Sequence, residues 1–217
     1  MSVAVWLGSG GPVRSVRWLD GALITAAKFG SATAIAAGDP TWLDLAADRA
    51  KRAGLESVGV ATELELDYLG WAQIVAAVVR QLGATTVLVD EVSRPERASE
   101  VAAIAELIDA AQLTRVVALA PDGAVIHASR ICGPDLQTIR VRGDAVIGLR
   151  IAGPAIDEYP TPMPSAAMRR LDLASLGLDP LVLGHRALPP RSTPQPRKSV
   201  AQIADYLAVH VAPRGAR

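Results

Sequence analysis

Asp90 ends an apolar run, TTVLV at 85–89, and Glu91, Arg94, Glu96, Arg97, Ser99 and Glu100 follow it closely. A run without polar alternation reads as a strand buried on both faces, and open α/β sheets present polar groups to ligands at such strand ends. Arginines beside it would pair with a phosphate. Ser99 before Glu100 reads as a helix N-cap, and the sharper reading has that cap also meeting a phosphate. A solvated loop of mixed charge has the same composition. Two further loops are candidates. GSGG at 8–11, starting at Gly8, brings backbone N–H groups toward a phosphate or is a plain glycine turn; it fits neither GxGxxG nor a Walker loop. AGDP at 37–40 holds Gly38, Asp39 and Pro40. Asp39 or Thr41 is expected to cap the following helix, in a geometry that also sets amides at a ligand edge.

Catalytic constellations are missing from the sequence. There is no GxSxG and no HExxH, and His127, His185 and His210 are scattered. Each histidine reads as a surface or hydrogen-bonded core residue rather than a ligand. Cys132 lies in RICGP without a second cysteine and is expected to be a buried structural residue. Nothing nominates a nucleophile or a general base, so the chain is not expected to be an enzyme.

Alternating patterns would position these residues. Strands are expected at Val3–Leu7, Thr33–Ala37, Ser57–Ala61, Thr85–Val89 and Arg115–Leu119. Helices between them are expected at Asp20–Phe29, Trp42–Ala53, Tyr68–Leu82 and 98–111, with Gly30, Gly54 and Gly83 as stops. VIHASR and LQTIRV then read as an antiparallel excursion, and Val146–Ile151 as a last strand. The alternation predicts a parallel sheet covered by helices, an α/β Rossmann-like domain at 1–153. Residues 154–217 form the second part, which holds most of the prolines, many apolar residues and a final helix at Ser199–Val209 capped by Ser199. Such a segment is expected to lie across a partner's surface rather than act as a linker.

Half of the 217 residues are hydrophobic and 20% are charged, with formal net charge zero. That supports a sizeable core and gives no general electrostatic footprint for nucleic acid or an anionic membrane. The single cysteine excludes an intrachain disulfide and suits a reducing compartment. No apolar run reaches membrane-helix length, and MSVAVWLGSGG has no basic n-region, so a cytoplasmic location without a signal peptide is expected.

The order of parts, and above all residues 158–170, resembles the beta subunit of electron transfer flavoproteins. There the last core strand leads into R-Y-P-T-L-P-x-I-M-x-A-K/R-K; here it leads into EYPTPMPSAAMRR, which shares Tyr159, Pro160, Thr161, a later Pro164, Met168 and the basic pair Arg169-Arg170. Met163 stands nearest the family's leucine, given one extra residue at Pro162. LPPRSTPQPRKSVAQIADYL is similar to the family's C-terminal segment and final helix, AGDP to its S-x-G-P turn, and TTVLVDE to the strand before its nucleotide loop.

The resemblance implies a fold of the adenine nucleotide alpha-hydrolase-like type with a C-terminal arm that wraps an alpha subunit. It implies FAD held mostly by that alpha subunit, and electron passage from a partner dehydrogenase to a quinone reductase or a ferredoxin-type acceptor. Tyr159, Pro160, Thr161, Met163, Pro164 and Met168 would belong to the partner-docking stretch. Gly8, Gly38, Asp39, Pro40, Asp90, Arg94, Arg97 and Ser99 would line the nucleotide side. The family loop D-x-x-x-G-Q-T-G here reads DEVSRPERASE, without either glycine. Glu100 falls where a glycine lets the backbone approach phosphate, and its charge would repel AMP, with Arg94 and Arg97 placed to compensate. AMP, a second FAD or nothing stays open for that site. The alternative from another class is a stand-alone adenine-nucleotide-binding module, a sensor or homodimer without flavin.

Overall fold

The computed structural model describes residues 1–9, 16–92, 97–153 and 167–184. In chain order the elements are β1 Val3–Ser9, α1 Val16–Ala27, β2 Ala32–Gly38, α2 Pro40–Arg52, β3 Glu56–Ala61, α3 Tyr68–Leu82, β4 Thr86–Asp90 and α4 Arg97–Ile108. Then come β5 Ala111–Asp122, β6 Val125–Cys132, β7 Asp135–Arg142, β8 Ala145–Leu149, β9 Arg169–Leu171, a 3-10 turn at Ala174–Leu176, and α5 Pro180–Gly184.

Local chemistry sets several of these bounds. Asp39 accepts a hydrogen bond from Trp42 N at 2.9 Å, and Pro40, whose missing N–H costs nothing in a first turn, begins α2. Asp67 caps α3 through Gly70 N at 2.8 Å, and Gly83 ends that helix in the left-handed region at φ 62°. The expected α3 is reproduced residue for residue. Helix α4 starts at Arg97, which places Ser99 inside its first turn instead of at the N-cap. It also stops at Ile108, and β5 begins at Ala111, earlier than expected, because the strand extends the parallel sheet before it bends.

The nine strands lie in the order β7-β6-β5-β8-β4-β1-β2-β3-β9. Strands β5, β8, β4, β1, β2, β3 and β9 pair in parallel. The first half of β5 pairs with β8 and the second half turns antiparallel to β6, which pairs antiparallel to β7. At the bend, Arg115 adopts φ 61° and its N–H reaches Oε2 of buried Glu91 at 2.6 Å. Glu91 fits because Gly148 has no side chain; a Cβ there would lie 2.6 Å from Oε2.

Alternate residues of the strands feed two apolar layers, as two-sided burial requires. Val3, Val5 and Leu7 of β1 pack with Leu19, Leu23, Leu43 and Ala46 of α1 and α2. Ala4 and Trp6 face the other way, toward Ile74, Val75, Val101 and Ile104 of α3 and α4. The result is a mostly parallel α/β sheet with helices on both faces, consistent with a Rossmann-like fold.

Organisation does not end at residue 153. Residues 169–171 form β9 parallel to β3, Leu173 and Leu183 are buried, and the compact unit runs Met1–Ala187. The expected final helix at Ser199–Val209 lies outside the described residues. No helix among the described residues is long and apolar enough to cross a membrane.

Candidate functional site at the strand C-termini

The chain runs from β1 outward through β2 to β3, then returns to place β4 on the other side of β1. That reversal puts the switch-point crevice, the usual ligand position in such sheets, between the C-terminal ends of β1 and β4. In this chain, its own side chains occupy it. Arg97, 4% exposed, donates from Nη2 to Leu7 O at 3.0 Å and lies 5.9 Å over the Trp6 ring. Its Nε stands 3.7 Å from Glu100 Oε2, which also accepts Trp6 Nε1 at 2.7 Å. Gly8 sits against this guanidinium at φ 103°, and a Cβ at that position would collide with Arg97 Nη2. Trp42 Nε1 closes the group by donating to Gly8 O at 2.9 Å.

The predicted site residues therefore divide. Gly8, Arg97 and the end of β4 come together, with Arg97 turned inward in place of the solvent-facing role that the loop composition suggested. Asp90 does close a buried strand, 2% exposed, and its Oδ1 accepts Val92 N at 2.9 Å to turn the chain. Ser99 is exposed on α4. Gly38, Asp39 and Pro40 stand at the next strand end, with Asp39 spent partly on its cap. Arg94, Tyr159, Pro160, Thr161, Met163 and Pro164 lie outside the described residues.

Met168 is half-buried against Gly59, where a Cβ would lie 2.5 Å from its Sδ. Arg170 pairs with Asp44 at 2.6 Å, so the basic end of the 158–170 stretch is pinned to β3 and α2. Gly153, the last described residue before it, donates its N–H to Arg17 O on α1. Cys132 is exposed at the end of β6, which corrects the expectation of a buried thiol: the β6–β7 hairpin projects past the core there. His127 stands 3.4 Å from Asp122 on the same antiparallel extension. His185 and His210 are outside the described residues.

Beside the filled crevice, on the α3 side, a cavity of about 400 Å³ opens over the ends of β1, β2 and β3. Ser9, Gly38, Asp39 and Thr62 form its floor and rim; Glu63, Glu65 and Trp71 complete the wall. Glu63, Glu65 and Trp71 were not anticipated. The available signal was TELELD at 62–67, a run of alternating acids directly after a strand. A nucleotide fits these surroundings poorly: Arg97 takes the space beneath Gly8, and among the described residues the adjoining cavity is lined by three carboxylates and no basic side chain. No family model matches this chain, and no curated protein matches it.

Proposed function

We propose that this chain is an electron carrier subunit of the electron transfer flavoprotein beta type. In this reading it pairs with an alpha subunit, and the pair carries FAD between a flavin-dependent dehydrogenase and a quinone reductase or ferredoxin-type acceptor. The observation that supports the reading is the attachment of the described residues on either side of 154–166. Before it, Gly153 N donates to Arg17 O on α1; after it, Met168 packs on Gly59 and β9 pairs with β3. A Pro-rich segment whose flanks are attached to the domain suits the presentation of a side chain to a partner. The filled crevice agrees with a cofactor held mainly by the other subunit, and it speaks against AMP on this one. The sheet is then of the adenine nucleotide alpha-hydrolase-like type, the location cytoplasmic, and the redox chemistry the flavin's own.

The test is co-expression with a candidate alpha subunit and purification through a tag on this chain. An equimolar yellow complex releasing FAD on denaturation is the expected result. A colourless monomer or homodimer that retains adenine nucleotide would replace this reading with that of a stand-alone nucleotide module.

A further inference from the structure

We infer that β7 is the seam of a homodimer, in which two copies of the chain pair antiparallel through this edge strand and join their sheets into one. Strand β7 ends the sheet, and among the described residues it pairs only with β6. Its ladder with β6 runs from Cys132↔Asp135 to Val125↔Arg142 without a bulge. Asp135–Arg142 contains no proline, and six of its eight residues are exposed, Leu136 at 64%. The strand and the two turns that flank it, 133–134 and 143–144, are described throughout. Gly133-Pro134 is a two-residue hairpin turn, which closes on a hydrogen-bonded pair, here Cys132 with Asp135. Alternation then turns the backbone N–H and C=O groups of Leu136, Thr138, Arg140 and Arg142 outward, away from β6. A long, unbroken edge of this kind is a template for another strand.

Charge and symmetry select a second copy as the occupant. Asp135 stands at one end of β7, and Arg140 and Arg142 stand toward the other. Antiparallel pairing of two copies brings each acidic end to the other copy's basic end, whereas parallel pairing would set like ends together. A two-fold axis between antiparallel edges places one residue opposite its own counterpart. Arg140 in that position would set two guanidiniums directly opposite each other, which disfavours that register. With Thr138 at the axis, Leu136 faces the second copy's Arg140; with Ile139 at the axis, Leu136 faces the second copy's Arg142. Both registers keep the arginines apart and lay an arginine stem over exposed Leu136. The arginines therefore select the register and do not block the edge. The seam uses neither flank of 154–166, so it stands or falls separately from the electron carrier reading.

Sedimentation equilibrium of the full chain is the test. The expected result is a mass that rises from one chain to two as the concentration approaches about 100 μM, since paired edge strands make a small, reversible interface. Thr138→Pro removes one outward N–H and no bond to β6, a place where an edge strand tolerates proline. It should return the chain to a monomer with an unchanged circular-dichroism spectrum. Cysteine cross-linking decides independently of how that variant folds. In a Cys132→Ser background, Thr138→Cys or Ile139→Cys should form an intermolecular disulfide on mild oxidation, because one of the two faces its own counterpart. Leu136→Cys lies several residues from its counterpart in either register and should not. A parent chain that stays monomeric throughout overturns the inference. So does an equally stable dimer in a folded Thr138→Pro variant, the absence of a cross-link at both 138 and 139, or a cross-link at 136 that forms as fast.

Discussion

Arg97 and Glu100 form an internal ion pair at the very place where a doubly wound sheet usually receives its ligand. Both are nearly out of solvent, so each is costly without the other. Arg97→Ala would leave Glu100 buried with only the Trp6 indole N–H, and should cost about 3–5 kcal/mol of stability, read as a drop in the denaturation midpoint. Glu100→Gln keeps an acceptor for Trp6 and should cost clearly less; equal losses in the two variants would refute the pairing. Gly8→Ala places a Cβ on the Arg97 guanidinium and adds a side chain at φ 103°. It should destabilise by about 1–3 kcal/mol, as overpacking does, and the same denaturation assay decides it. The loop composition at 90–100 suggested arginines available to phosphate. The fold instead uses Arg97 to neutralise buried Glu100 beside it.

At the scale of elements, β9 is a three-residue edge strand with an anchor on each side. Met168 occupies the space above Gly59, and Arg170 reaches Asp44 on α2. Gly59→Val should push Met168 away and loosen β9, with amide exchange rising at 169–171 while β1 and β4 stay protected. Protection of β9 equal to that of the parent would show that Met168 has no such role. The β5 bend depends on a single carboxylate. Glu91 accepts the Arg115 N–H at 2.6 Å and Arg150 approaches it at 3.4 Å. Glu91→Ala removes the acceptor for a positive-φ arginine that has no glycine's freedom, and should cost about 1–3 kcal/mol in thermal or chemical unfolding.

For the whole molecule, the compact unit ends at Ala187. A chain truncated there should keep the sheet and its melting cooperativity. If residues 188–217 grip an alpha subunit, the truncated chain should lose that partner in co-purification; an equally tight complex would make the arm dispensable. Met163→Asp belongs to the same scale. If the chain is the electron carrier subunit proposed above, this variant should leave fold and flavin content intact and slow electron exchange with the dehydrogenase by about tenfold, as expected for a charge in an apolar docking contact. An unchanged rate would remove Met163 from that contact.

Periodicity alone determined the alternation of strands and helices, because two-sided burial writes apolar runs and one-sided burial writes helical stripes. Tyr68–Leu82 with its glycine stop, the Asp39 cap, the buried end of β4 and the antiparallel excursion were all legible in this way. Strand order was not, since the insertion of β8 between β5 and β4 and the addition of β9 beside β3 are long-range pairings that leave no local pattern. The inward turn of Arg97 needed the tertiary structure for the same reason. Its partners Leu7 and Trp6 lie about ninety positions away in sequence and meet it only across the β1–β4 crevice. The acidic cavity, too, exists only because the ends of β1, β2 and β3 are brought side by side, which turns scattered acids and one serine into a single surface.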